Sequence, residues 1–190
     1  MNKSNLNRHQ RRSMRTREKL KQATHELLLE NGYEMLSVKS ITERADLGRG
    51  TFYLHFKDRE DAVWALVEDS IVAADRQARD AYARGMQADT LQTLFLNVLR
   101  HTDQNRDLYR VILGAKGSAV TSSKVQDYLV EEFKRDSRDF GLTFKIPDIP
   151  LDVYLQLLVG AVVRLALWWL ETPNDLSTEE LASMISEVFS

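Results

Sequence analysis

The sequence predicts an all-α fold, a small N-terminal three-helix unit followed by a larger helical unit. Three observations lead there. Apolar residues recur at three- and four-residue spacing along most of the 190 residues. No stretch alternates apolar and polar residues for long enough to argue a strand. The breaks between periodic segments hold residues that start or stop helices, among them Gly32, Ser37, Asp58, Pro150, Pro173 and Ser177.

The first helix is expected over Thr16 to Asn31, with Leu20, Ala23, Leu27 and Leu28 on one face. Gly32 stands where a C-terminal cap belongs, and Tyr33 turns back to the core. Ser37 should cap a second, short helix whose buried edge is Val38, Ile41 and Ala45. Asp46-Leu47-Gly48 is the turn into a third helix, Arg49 to Phe56. There Phe52 and Phe56, four apart, face the core, while Gly50, Thr51, Tyr53 and Leu54 point the other way. Asp58 should cap a longer helix running to about Tyr82, with Ala62, Leu66 and Ala73 inward.

Further helices are expected over Thr90–Asn105, Asp107–Leu113, Ser122–Phe140, Leu151–Glu171 and Ser177–Phe189. Pro150 suits the first turn of the fourth of these, and Pro173 ends it, because the residue before a proline avoids the α region. Ser177 and Glu180 have the spacing of a capping box.

The hydrophobic share, 43%, supports a real core in one or two small domains. With no cysteine, disulfides, thiolate metal sites and cysteine catalysis are excluded, and a reducing cytoplasm fits. The polar, basic N-terminus does not read as a secretory signal. Leu151 to Leu170 is apolar but interrupted by Asp152, Gln156 and Arg164, so it reads as a buried helix and not a membrane span. The four histidines are scattered and no glycine-rich phosphate loop or helical metal pair occurs, so neither an enzyme nor a cofactor is expected.

Charge is unevenly spread. Residues 1–60 hold 13 Lys/Arg against 8 Asp/Glu, and residues 61–190 hold 13 against 20. The division into a reading unit, 1–60, and a regulatory unit, 61–190, follows this asymmetry, with the basic end towards nucleic acid. Residues 1–12 read as a basic arm, either a solvated tail or one that orders on DNA.

The stretch from Ser37 to Asp61 has the layout of a helix-turn-helix DNA reader. Arg49 could present its guanidinium to guanine O6 and N7. Gly50 would let the backbone approach a base or sugar. Thr51, Tyr53, His55 and Lys57 carry groups suited to phosphate oxygens, and Ser37 and Lys39 could hold the other side of the groove. Each has an ordinary alternative: a solvated charge at Arg49, a core ring at Tyr53, a structural histidine at His55, tight helix packing at Gly50.

On Gly32-Tyr33, Val38, Ile41, Ala45, Leu47, Gly50-Thr51-Phe52-Tyr53, His55-Phe56-Lys57 and Glu60-Asp61, the chain resembles the tetracycline-repressor (TetR) family of bacterial regulators. The resemblance runs from about Thr16 to Leu66. Two departures stand out: members commonly have glycine at the place of Asp46, and serine or threonine at that of Gly48. The resemblance implies an all-α homodimer with two reading heads on a palindromic double-stranded operator, acting as a repressor that a small molecule releases. It places the dimer interface on about 151–171 and 177–189. Gly160 and Ala161 would allow close helix approach there.

An effector pocket would be lined by the middle helices. His101, Tyr109, Tyr128, Arg164 and Trp168 are the candidates, with Trp169 facing elsewhere than Trp168. Arg164, a charge in an apolar helix, needs either an acidic ligand or an internal carboxylate. The alternative to a small-molecule effector is control by a protein partner, for which an apolar groove in place of a cavity would speak.

Overall fold

A computed structural model describes residues 7–83, 91–140 and 149–189, and among them every regular element is α-helical. The helices are α1 (Arg8–Asn31), α2 (Val38–Arg44), α3 (Arg49–Tyr53), α4 (Arg59–Ala83), α5 (Leu91–Gln104), α6 (Arg106–Leu113), α7 (Ala119–Phe140), α8 (Leu151–Glu171) and α9 (Thr178–Phe189).

The N-terminal head packs α1, α2, α3 and the start of α4 around Leu20, Leu28, Leu36, Ile41, Phe52, Phe56, Ala62 and Val63, all 2% exposed or less. The Phe52 and Phe56 rings meet with centroids 5.6 Å apart. Truncating either would remove contacts on several sides and should cost about 3–5 kcal/mol. Polar ties hold the head to the long helices. Arg44 closes α2 onto α1 through Glu26 at 3.2 Å and Glu30 at 2.5 Å. Lys21, almost fully buried, bonds Asp69 of α4 as well as Glu18 at 2.8 Å. Burial alone would lower its pKa, but these two carboxylates raise it.

The body wraps α5, α6, α7 and α9 around α8. Phe95, Leu99, Ile112, Leu155, Leu158 and Leu181 are its fully buried centre. Helix α9 lies along α5, and Arg100 reaches Glu179 at 2.7 Å across that contact. The ends of α8 are pinned by Tyr154, whose hydroxyl donates to the Phe189 carbonyl at 2.9 Å, and by Trp169, whose indole N–H donates to the Leu176 carbonyl at 2.9 Å. Helix α8 is long and apolar enough to cross a membrane (mean hydropathy 1.8), but half of that window is buried inside the protein, as in the core helix expected.

Several boundaries differ from those read off the sequence. Helix α1 starts at Arg8, not Thr16, because Asn7 and Gln10 form a capping box with bonds of 2.8 and 2.9 Å. The back half of the expected arm is therefore helical, and its first six residues lie outside the described residues. Helix α3 ends at Tyr53, three residues early, although His55 and Phe56 amides still bond the Phe52 carbonyl at 2.9 Å. Helix α7 starts at Ala119, since Ser118 accepts from the Thr121 amide at 2.9 Å. Ala73 is exposed, and Ile71 and Ala74 take the inward positions. Thr90, the expected start of α5, lies outside the described residues. The capping box of Ser177 and Glu180 forms as read, with bonds of 2.9 and 3.2 Å.

A candidate nucleic-acid interface and a cavity

Ser37 caps the N-terminal end of α2 by accepting from the Ser40 amide at 3.0 Å. Lys39 stands in solvent on that end, a loose 3.8 Å from Glu43. The turn follows. Asp46 adopts φ 53°, the left-handed conformation that aspartate tolerates better than most residues, and Leu47 bonds back to the Thr42 carbonyl at 3.0 Å. The chain then enters α3 through Gly48, whose carbonyl receives the Thr51 and Phe52 amides at 2.9 and 3.2 Å. Gly48 offers no side-chain cap, as its lack of a hydroxyl requires.

Helix α3 buries Phe52 and presents Arg49, Gly50 and Tyr53 to solvent, with Thr51 half-buried. Tyr53 is 59% exposed, its ring edge-on to Phe52 at 5.5 Å, so it is not a core ring. A Cβ added at Gly50 would meet nothing within 4 Å, so packing inside this chain does not explain that glycine. His55 is half-buried, and partial burial, helped by the nearby Arg17, lowers its pKa. Lys57 is exposed at the start of α4, where its amide bonds Asp61 at 2.9 Å and Asp58 caps the Asp61 amide at 2.9 Å. Among the described residues neither Arg49 nor Lys57 makes an ion pair. Ser37, Lys39, Arg49, Gly50, Tyr53 and Lys57 are thus exposed on α2, α3 and the segment leading into α4, with Thr51 and His55 half-buried. Leu54, 82% exposed beside them, was not singled out among the candidate contacts. Its signal was available: a leucine on the face opposite Phe52 and Phe56 has apolar contact with a thymine methyl as a natural use.

In the body, a cavity of about 330 Å³ lies between α4, α5, α6, α7 and α8. His101, Tyr109 and Tyr128 line it as anticipated. His101 Nε2 is 2.8 Å from the Tyr109 hydroxyl and 3.4 Å from Ser70 Oγ. Burial lowers the His101 pKa and pushes that of Tyr109 up to about 12, so both are neutral. Asp75, Glu132 and Asp136 also line the cavity, and Arg135 reaches Asp75 at 3.2 Å and bonds Glu132.

Arg164 and Trp168 do not line the cavity, contrary to expectation. The rotation of α8 decides this. Val162, Ala166 and Leu170 turn inward, which puts Arg164 and Trp168, four residues apart, on the outer face. There Arg164 is exposed in the single chain. Trp169 is 4% exposed and Trp168 37%, so the adjacent tryptophans do face different ways.

A strap joins the two regions. From Leu113 on the cavity wall the chain passes through Gly114 to Ser118, where the Ser118 amide bonds the Ile112 carbonyl at 2.8 Å. A Cβ at Gly117 would sit 1.9 Å from that carbonyl oxygen. Ser118 Oγ then bonds the carboxylate of Glu60 in the first turn of α4.

Comparison with known proteins places these features. Residues 20–65 match the family described as bacterial regulatory proteins, tetR family, and residues 89–190 match a transcriptional regulator C-terminal region of the same family. An HTH-type transcriptional regulator of Staphylococcus aureus (strain USA300) is 30% identical over 69 residues. That match takes in 35% of this chain and spans only 37% of the relative's length. The fold resembles a TetR transcriptional regulator from Streptococcus agalactiae 2603V, with a TM-score of 0.73, 24% identity, and 94% and 95% of the two chains covered. It also resembles Thermus thermophilus FadR, a repressor solved with lauroyl-CoA, with a TM-score of 0.63, 20% identity, and 90% and 92% covered.

Proposed function

The chain belongs to the TetR family of transcriptional regulators, and from that membership we propose that it binds a palindromic operator as a homodimer and leaves it when a small molecule fills the cavity. Residues 1–60 are the reading head and 61–190 the regulatory and dimerising body, acting in the cytoplasm. The observation that supports this reading best is the strap: one short segment touches both the cavity wall at Leu113 and, through Ser118 and Glu60, the helix that begins next to Lys57.

In the head, Arg49 and Gly50 are the base-reading residues, and Thr51, Tyr53 and Lys57 hold phosphates with Ser37 and Lys39 across the groove. His55 contributes a ring nitrogen as a hydrogen-bonding group towards phosphate. In the body, the outer stripe of α8 supports a dimer. Val153, Leu157 and Trp168 are 48%, 61% and 37% exposed, and open space surrounds Gly160 among them. On α9, Met184 and Val188 add exposed apolar surface, 51% and 75%. Exposed apolar stripes of this kind mark association surfaces. The acyl-CoA held by the Thermus relative is a precedent for a small-molecule effector, and the cavity favours such an effector over control by a protein partner.

Selection of duplexes from a random pool by the purified protein tests the reading. It should return a two-fold symmetric site bound by two chains, with Arg49→Ala losing preference for that site over random DNA. Recovery of asymmetric sites bound by one chain would overturn it.

A further inference from the structure

We propose that the cavity selects a compact apolar molecule with one hydroxyl group, a phenol or an alcohol, whose O–H donates to His101 Nδ1. This rests on the cavity being the effector site. The groups around His101 decide where its ring proton lies. Ser70 spends its own hydroxyl proton on the Val67 carbonyl at 2.9 Å, so towards its other neighbours Ser70 Oγ can only accept. His101 Nε2 is 3.4 Å from that oxygen and 2.8 Å from the Tyr109 hydroxyl, and Tyr109 bonds Ser70 as well.

One arrangement uses all three groups: Nε2–H donates to the Tyr109 oxygen, and Tyr109 donates to Ser70. The opposite tautomer turns the Tyr109 proton to Nε2, leaves the Ser70 oxygen without a donor and puts an unpaired N–H at Nδ1. The first makes one bond more, in a part-buried place where an unmade bond is costly. It leaves Nδ1 as a lone pair. Among the described residues nothing bonds that nitrogen. The side-chain nitrogens and oxygens there that are both sealed in and unbonded belong to Thr121 and Arg135. Nδ1 is therefore open, and His101 stands on the cavity lining. Burial lowers the His101 pKa, which keeps the lone pair free of a proton at neutral pH.

Other polar groups of the lining are engaged within the chain. Thr102 donates to the Val98 carbonyl at 2.8 Å, and Arg100 reaches Glu179 at 2.7 Å. Glu132 is bonded to Asp75 and Arg135, and Asp136 also interacts within the chain. Around them Leu94, Val98, Leu129, Phe133 and Val162 supply the apolar wall that the rest of the molecule would cover. The volume of about 330 Å³ is at the small end of ligand sites, which favours one compact molecule over an extended chain.

The experiment is calorimetry on the full chain with two probes, 4-propylphenol and its methyl ether, which keeps the oxygen and loses the proton. Displacement of the uncharged dye Nile red reports cavity occupancy in parallel. The phenol should bind at least about fivefold more tightly, although the ether has more carbon to bury. His101→Gln keeps an amide near the Nε2 position and has nothing at that of Nδ1; it should abolish the preference and leave the ether within about twofold. His101→Asn restores an acceptor oxygen near Nδ1 and should keep the preference. Nitrogen NMR of His101 in the free protein should show Nδ1 unprotonated. An ether that binds as well as the phenol, a His101→Gln variant that weakens both alike, a His101→Asn variant without the preference, or a proton on Nδ1 would overturn the hydroxyl proposal and leave the effector site standing. Nile red entering while neither probe displaces it would do the same. If neither probe binds and Nile red is also excluded, the effector site itself falls.

Discussion

Ser118 at the start of α7 donates a hydrogen bond to Glu60 in the first turn of α4, 58 residues earlier in the chain. Three residues before Glu60 stands Lys57, and five residues before Ser118 stands Leu113 on the cavity wall. A displacement of α6 therefore has a short physical route to the reading head. Such a route matters for regulation only if the two ends bias the same equilibrium. Glu60→Gln keeps the shape and weakens the bond. It should leave operator affinity within about threefold and reduce the effector's release of DNA, as measured by anisotropy titrations with and without ligand. An unchanged release factor would remove this bond from the route.

Gly50 separates stability from reading. Nothing in the chain would touch an added methyl, and alanine is favoured over glycine inside a helix by about 1 kcal/mol. Gly50→Ala should thus melt at a higher temperature while binding the operator more weakly. A variant that gains stability and keeps full affinity would show that the backbone does not approach DNA there.

Arg49→Ala and Lys57→Ala should differ in kind. The first should cost about 1–3 kcal/mol on the operator and far less on random DNA. The second should weaken both and flatten the slope of log affinity against log salt by roughly 0.9, the loss of one phosphate contact. Shift assays across salt concentrations distinguish them, and equal losses from Arg49→Ala would mean it reads no base.

The outer face of α8 predicts that Leu157→Glu disrupts the dimer. Leu157 is 61% exposed, so the monomer loses little by the change, whereas a dimer would bury a carboxylate. Light scattering should show a monomer with an unaltered helical spectrum. A persisting dimer would move the interface elsewhere.

Glu132 should make the ligand-free protein sensitive to pH. Burial, then the nearby Asp75 charge, raise its pKa from 4.5 to about 7. The folded state therefore holds a proton that the unfolded state has lost across that window, and stability falls as pH rises from about 4.5 to 7. Glu132→Gln should be more stable than the native chain above pH 7, by about 1–2 kcal/mol after allowance for solvent screening, with the gain vanishing towards pH 4.5. Denaturant melts at several pH values would measure it, and a constant difference would refute the assignment.

Much of the head was legible from residue order because its determinants are local. Phe52 and Phe56 share a face by spacing, Ser37 and Asp58 cap by side-chain chemistry, and Asp46 takes the left-handed turn it can tolerate. The body was less legible. Helix α8 is apolar around most of its circumference, so its pattern does not say which side turns inward, and Arg164 was assigned to the wrong side. Nothing in the residue order singles out Asp75 or Glu132. Only the packing of α4 against α7 makes them neighbours.

The strap and the cavity walls differ in what they tolerate. At Gly114 and Gly117 any side chain would strike main-chain oxygen, 2.3 and 1.9 Å away, so those two positions admit almost no change. The walls are side chains of five helices, each replaceable by another of similar bulk. The chemical identity of the signal can therefore drift over generations while the mechanical linkage that relays it stays the same.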